Sequence, residues 1–257
     1  MHHNFSPPPG GKSTLPILAL ESRWRERYNA LHPRDEQEPC VMTEREKLLS
    51  GLEYNSRDEE LIAMYHRARA LTKSLGTLDS HQADEKNRLL GELFGAWGEA
   101  SWIETPFWCD YGQHVRIGKN CFINVNAVFL DCNTITIGDN TLIGPNVQIY
   151  TPSHPLKAGE RFTGDPAFPF RTSAQPVSIG SNVWIGGNVV ILPGVTIGDG
   201  TTIGAGSIVT GDIPANVLAL GQPCRVIRTL ESGGNEGDFP NGADCRYNSC
   251  LRPRAVR

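Results

Sequence analysis

A mainly β solenoid preceded by a short helical section is the architecture that this sequence of 257 residues predicts. Three observations carry it. From Ile179 to Val209 an aliphatic residue returns at every sixth position, at Ile179, Ile185, Ile191, Ile197, Ile203 and Val209, and glycine follows four of the six. The same beat sounds at Ile117, Ile123 and Phe129, then at Ile137, Ile143 and Ile149 after an out-of-phase segment around Asp131–Thr136. A period of six is neither the 3.6 of a helix nor the short alternation of a hairpin. It fits a chain in which each hexapeptide is one short strand plus a turn, the aliphatic residue pointing inward and Gly, Asn or Asp taking the corner. One such coil buries little, but stacked coils build a continuous core.

Taken in order, residues 1–40 mix Pro, Gly, Arg and Glu with little periodicity, and they are expected to be a disordered extension whose one apolar stretch is Leu15–Leu20. Residues 41–100 read as helical. Thr43 and Glu46 have capping-box spacing ahead of Lys47-Leu48-Leu49, and Gly51 can end that helix. Ser56 and Glu59 repeat the spacing before Leu61, Met64, Tyr65, Ala68 and Leu71, which share one helical face. A third helix is predicted from about Ala83 to Trp97, with Leu89, Leu90, Leu93, Phe94 and Trp97 on one side. Residues 101–230 hold the solenoid, broken by an inserted loop at 150–178 where the register stops. The Gly-, Asn- and charge-rich residues 231–257 are expected to be a disordered tail.

Composition excludes several classes. Lys+Arg 24 against Asp+Glu 28 gives a formal net charge of −4 with no basic run, which argues against a nucleic-acid partner. No apolar stretch is long enough to cross a bilayer, and the first residues lack a signal-like hydrophobic core, so a soluble, cytoplasmic protein without a membrane partner is expected. The seven cysteines, Cys40, Cys109, Cys121, Cys132, Cys224, Cys245 and Cys250, are odd in number and irregularly spaced. They read as free thiols, those in the coils as small packed side chains rather than nucleophiles. His66 and His81 belong to the helical surface and His114 to a coil corner. With His114 and His154 the two histidines of the coil region, no metal site is expected.

Hexapeptide coils can be mere spacers, so the repeats alone leave the function open. The segments IGKNCF, IGDNTL, IGPNVQ, IGSNVW, IGGNVV, IGDGTT and IGAGSI resemble the hexapeptide-repeat family, whose fold is a left-handed parallel β-helix. That handedness is implied by the resemblance and not by the spacing, since parallel crossovers are normally right-handed. The stretch MTEREKLLSGLEYNSRDEELIAMYHRARAL is similar to the N-terminal segment of the maltose and galactoside acetyltransferase branch. So are IETPFWCDYGQHVRIGKNCFINVNAVFLDC, TPSHP and the block from PVSIGSNVWIGG to PCRVIR, and together these run from about Met42 to Arg228.

The resemblance implies transfer of an acetyl group from acetyl-CoA to a hydroxyl of a sugar or similar small molecule. A free alcohol is a poor nucleophile at neutral pH, so the reaction needs a base beside it. His154, in the loop where the repeat register stops, is the family's general base by this resemblance. Gly187, in the turn after Trp184-Ile185-Gly186, is the expected backbone donor to the oxyanion. Trp184 is placed beside the pantetheine arm, or against a neighbouring subunit. Ala205 and Thr210 are placed along the acetyl-CoA channel, and Arg225 and Arg228 at the nucleotide phosphates. Gly211 stands where relatives carry lysine. The acceptor positions correspond to Ser56, Asp110, Asn124 and the Asp131-Cys132 pair, with serine and cysteine at two positions where a relative has aspartate. Asp131 is then the carboxylate expected to substitute. The resemblance also implies a homotrimer. Two alternatives stand beside this reading: an acetyltransferase acting on an antibiotic hydroxyl, and a catalytically silent scaffold.

Overall fold

The computed structural model describes residues 42–230; the expected tails, with Leu15–Leu20, Cys40, Cys245 and Cys250, lie outside the described residues. Among the described residues three helices come first: α1 (Glu44–Leu49), α2 (Glu59–Leu75) and α3 (Ala83–Leu93). The first capping box forms as its spacing predicts: Glu46 N–H donates to Thr43 Oγ1 at 3.1 Å and Thr43 N–H to Glu46 Oε2 at 2.8 Å. The second does not. Asp58, not Ser56, caps α2, its carboxylate accepting from the N–H groups of Glu60 and Leu61. A charged acceptor at the positive end of a helix outcompetes a hydroxyl two residues upstream, and Ser56 is left in the preceding turn. The third helix ends at Leu93, short of the predicted Trp97. At Gly95 the chain passes so close to the solenoid that a Cβ would lie 2.2 Å from the Gln113 carbonyl oxygen, and Gly95 N–H donates instead to the Val115 carbonyl at 2.9 Å.

From Ala96 onward the chain winds as a parallel β-solenoid with three faces. The first face stacks residues 96–97, 115–117, 135–137, 177–179 and 196–197; the second stacks 102–103, 122–123, 142–143, 184–185, 202–203 and 217–220; the third stacks 108–109, 128–130, 148–150, 190–191 and 208–209. The six-residue beat becomes three inward columns. Ile117, Ile137, Ile179 and Ile197 are aligned on the first face. Ile103, Ile123, Ile143, Ile185, Ile203 and Ala219 are aligned on the second. Cys109, Phe129, Ile149, Ile191 and Val209 are aligned on the third. All of them are buried in one continuous core that also takes in Leu89, Leu90, Leu93 and Phe94 of the helical section.

Corners between faces demand a left-handed backbone. Asn120, Asn126, Asn140, Asn146, Asn182, Asn188 and Asn216 all have φ between 54° and 63°, a region where asparagine is tolerated far better than branched residues. Stacked one coil above another, their amides hydrogen-bond in two ladders, Asn120–Asn140–Asn182 and Asn126–Asn146–Asn188.

At its C-terminal end the stack is closed off. Ile213 bridges to Ile197, Cys224 N–H donates to the Ile208 carbonyl at 2.8 Å, and residues 225–229 run back antiparallel along 217–220. A smaller cluster of Leu48, Tyr54, Leu61, Met64, Tyr111, Cys132 and Ala174 fastens α1, α2 and their linker to the first coils.

Because Ile143 is the middle of a column with aliphatic neighbours above and below, Ile143→Ala should destabilise the protein by about 2–5 kcal/mol, as core truncations of this size do. Chemical unfolding of the two proteins, compared at equal slope, measures it; a change within about 0.5 kcal/mol would mean the column does not hold the coils together.

Candidate active site

The aliphatic register stops after Tyr150 because Thr151 starts the loop that carries His154. Thr151 Oγ1 accepts from Asn133 N–H at 2.8 Å and donates to the Leu130 carbonyl, while Thr151 O accepts from Gln175 N–H at 2.9 Å. Residues 152–153 then pair antiparallel with 173–174, making a two-residue neck. His154 is the first residue beyond it, exposed, with Nδ1 at 2.9 Å from the Arg171 carbonyl oxygen. A carbonyl oxygen only accepts, so Nδ1 carries the proton, and in the neutral ring Nε2 keeps a lone pair. That is the tautomer a general base needs. Thr172 Oγ1 lies 3.4 Å from the same Nδ1.

Arg171 is itself held from the helical section. Its guanidinium reaches Glu53 at 3.4 Å, Tyr54 N–H donates to the Thr172 carbonyl at 3.1 Å, and Asn55 Nδ2 donates to the Ala167 carbonyl at 3.0 Å. Arg57 lies over the Phe170 ring, which meets Phe162 edge to face across the hairpin of residues 162–165 and 168–170. The linker between α1 and α2 thus braces the loop whose carbonyl orients the histidine. Neither Arg171 nor this brace was legible from the motif, because a backbone carbonyl leaves no trace in residue type.

Asp110 ends the third face of the first coil, at the corner from which His154 projects two coils on. Burial raises its carboxyl above the ordinary carboxylate range, partly offset by the Trp108 indole N–H, 3.3 Å from Asp110 Oδ1, and by Arg69. Cys132 Sγ is 3.8 Å from Asp110 Oδ2, and Cys132 packs with Tyr54 and Ala174, so a continuous wall links Asp110 to the His154 loop. Ser56 lies in the linker that borders this wall.

Asp131 departs from expectation. Its side chain is fully buried, and its Oδ1 accepts from the N–H groups of Asp110 at 2.7 Å and Tyr111 at 2.9 Å. Such a carboxylate shapes the backbone beneath the site and is not open to an acceptor. Burial raises its carboxyl to about 7, with the two backbone donors working against the shift and Asp110 adding to it. His114 is likewise buried, Nδ1 donating to the Asp131 carbonyl at 2.8 Å, and loss of hydration lowers its pKa. Cys109, Cys121, Cys132 and Cys224 are free and buried, their thiols raised by that burial and so poor nucleophiles.

The remaining predicted residues fall at a different corner. Asn124 follows Ile123 on the second face; Gly187 and Ala205 occupy the equivalent turn after Ile185 and Ile203, and Trp184, 58% exposed, precedes it. Gly187 N–H donates to no carbonyl among the described residues, and a Cβ there would lie 3.1 Å from the Pro145 carbonyl oxygen. Asn124 Oδ1 accepts from Val125 N–H at 2.8 Å. Thr210 stands with Asp110 on the other corner, while Arg225 and Arg228 are exposed on the closing strand. Within one chain, then, His154, Asp110 and Thr210 are separated from Gly187, Ala205 and Asn124 by the width of the third face, roughly 16 Å for five residues at strand rise. Among the described residues no group of three or more His, Cys, Asp or Glu could hold a metal ion.

Three family models match the chain. Residues 47–98 match the maltose acetyltransferase hexapeptide capping motif, 114–150 the hexapeptide repeat of succinyl-transferase, and 176–211 the bacterial transferase hexapeptide. Galactoside O-acetyltransferase of Escherichia coli K12 is 41% identical over 72% of this chain and 88% of its own length. The crystal structure of a maltose O-acetyltransferase from Clostridium difficile 630 is 44% identical, with a TM-score of 0.71 over 74% of this chain and 99% of that one. A hexapeptide-repeat acetyltransferase of Vibrio cholerae, complexed with acetyl-coenzyme A, is 40% identical, with a TM-score of 0.68 over 74% of this chain and all (100%) of that one. The chain belongs to the hexapeptide-repeat acetyltransferase family, in its maltose and galactoside O-acetyltransferase branch.

The Asp131 carboxyl yields a pH prediction. Its folded pKa, about 7, lies above the ordinary 3.8, so the folded protein binds this proton more tightly than the unfolded chain. Its contribution is full below the unfolded value and is lost as pH rises through the folded one. Asp131→Asn, which keeps an oxygen for the two backbone donors and cannot ionise, should therefore gain stability relative to the parent between about pH 5 and about pH 8. Urea unfolding of both proteins at the two pH values decides it: a constant difference would show that Asp131 ionises freely where it sits.

Proposed function

We propose that this protein is an acetyl-CoA-dependent sugar O-acetyltransferase, an acyltransferase whose acceptor is a hydroxyl of a maltose-, glucose- or galactoside-like sugar. The observation that carries the reading is His154, an exposed imidazole with Nδ1 committed to the Arg171 carbonyl and Nε2 left to take a proton. The named activities of the related galactoside and maltose O-acetyltransferases, and the acetyl-coenzyme A held by the Vibrio cholerae relative, support the donor and the acceptor class.

In this mechanism His154 Nε2 takes the acceptor's hydroxyl proton as its oxygen attacks the thioester carbonyl. Gly187 N–H donates to the oxyanion that forms, and collapse expels the CoA thiolate, which recovers a proton from the imidazolium. Trp184 and Ala205 line the path of the pantetheine arm with Thr210, Arg225 and Arg228 meet the nucleotide phosphates, and Ser56, Asp110 and Asn124 receive the sugar.

A base and an oxyanion donor about a face-width apart cannot serve one substrate within a single chain. The proposal therefore includes a homotrimer in which the His154 corner of one subunit meets the Gly187 corner of the next. An exposed apolar row on the second face, Phe122, Leu142 and Trp184, supports such packing. No helix among the described residues is long and apolar enough to cross a membrane, and a cytoplasmic location is part of the same proposal.

His154→Ala should lower kcat by about 10²–10⁴ while acetyl-CoA binding persists, as loss of a positioned general base does. Near-parental turnover with any working sugar acceptor would overturn the mechanism. Light scattering should give three chains per particle; a fully active monomer would contradict the shared site. At the donor end, Arg225→Ala and Arg228→Ala should each raise the acetyl-CoA KM several-fold and leave the acceptor KM unchanged, the effect shrinking with added salt. Unchanged acetyl-CoA KM values in both variants would place the nucleotide elsewhere.

A further inference from the structure

The Trp108 side chain is an exposed aromatic beside Asp110, and nothing in the mechanism above uses it. The residue is 43% exposed although one face of its ring is covered: the Arg69 guanidinium carbon lies 3.6 Å from the ring centroid. Arg69 is itself fixed, lying 4.9 Å from the Tyr65 centroid on its own helix and donating through Nη2 to the Cys109 carbonyl. The indole edge is fixed as well, its Nε1 lying 3.3 Å from Asp110 Oδ1. An exposed tryptophan on a β-solenoid would ordinarily swing between rotamers; this one is clamped on one face by a cation and at one edge by a carboxylate, while the residue stays partly open to solvent.

We infer that Trp108 is the stacking platform of the acceptor site and a specificity-determining residue, with Arg69 positioning it, for acceptors that present the flat C–H face of a pyranose ring. The inference rests on the sugar O-acetyltransferase reading. The face of an indole carries negative charge density, and the axial C–H groups of a pyranose carry positive, so the two stack when water is displaced from both. The partial charge of Asp110 beside the indole supplies an acceptor for the hydroxyls at the ring edge. Platform and carboxylate share a wall with the His154 loop through Cys132, Tyr54 and Thr172. An acyclic polyol has hydroxyls for Asp110 but no flat face for the indole, so the platform selects the ring form.

The test compares the parent with Trp108→Ala, Trp108→Phe and Arg69→Met in steady-state acetyl transfer to maltose, methyl glucoside and glycerol, and in calorimetric titration of maltose without acetyl-CoA. Trp108→Ala should raise the KM for both pyranosides roughly five- to tenfold, the scale of a lost aromatic contact. Its acetyl-CoA KM and its kcat at saturating sugar should stay near parental. Trp108→Phe should restore most of the affinity, and Arg69→Met should fall between, since the ring remains but loses its clamp. The ratio of maltose to glycerol efficiency should drop in Trp108→Ala. Unchanged pyranoside KM and titration in Trp108→Ala would overturn the platform while leaving the acetyltransferase reading intact. So would a loss in Trp108→Phe as large as in Trp108→Ala. If the parent transfers acetyl to none of the three, the reading of function fails, and the titration alone judges the platform: maltose binding lost in Trp108→Ala and kept in Trp108→Phe upholds it, and no maltose binding by the parent rejects it.

Discussion

One steric constraint governs this molecule: at most corners of the solenoid the chain turns through a left-handed backbone so that the sixth residue faces inward again. The corner asparagines meet it, and their amide ladders tie each turn to the one above. Given that turn, the inward columns follow, and with them a core in which each aliphatic side chain is covered by its counterparts one coil away. Nothing chemically reactive fits inside. The side chains with acid–base chemistry stand where the six-residue beat is broken, at the Asp110 and Asp131 corner and at the loop after Tyr150.

Those interruptions are held by buried polar side chains, although Asp131 Oδ2 and His114 Nε2 are themselves buried with no hydrogen-bond partner among the described residues. Asp131 is buried to hold the backbone of Asp110 and Tyr111, and His114 is buried to hold the Asp131 carbonyl. The His154 loop is narrow at its neck, braced along its length by the α1–α2 linker, and exposed where the imidazole stands. Rigidity is thereby delivered to a flexible kind of element without using the core. The helical section is consequently more than a lid on the first coil: through Glu53, Tyr54, Asn55 and Arg57 it sets the position of the carbonyl that fixes the histidine's tautomer.

Much of this was legible in the residues, for reasons that differ by level. The columns follow from period alone, because burial in a solenoid is strictly repetitive; Ile117 through Val209 fall inside as the beat predicts. Capping chemistry located α1 but misplaced the start of α2, since Asp58 offered a stronger cap than the Ser56 spacing suggested. Motif resemblance named His154, yet its orientation depends on the Arg171 backbone, which residue identity does not encode. Asp131 was misread as an open carboxylate because sequence shows a polar residue at a corner without showing that its oxygen is already committed to two amides. The separation of Asn124 and Gly187 from Asp110 and His154 follows from the register, since the two groups lie on opposite ends of the third face. Trp108 carried no signal until Arg69, thirty-nine positions earlier, was found lying on its ring.

The antiparallel return of residues 225–229 has a consequence for how copies of this protein can assemble. A parallel stack ends in rows of unpaired backbone donors and acceptors, and another copy's first coil could in principle continue it, head to tail, into a fibre. Here the second-face row is answered by a strand of opposite direction carrying two arginines, and the other rows by Ile213 and Cys224. Reversed polarity breaks the repeat that propagation would need. Axial polymerisation is disfavoured at that terminus, which leaves the sides of the solenoid as the surface open to another copy.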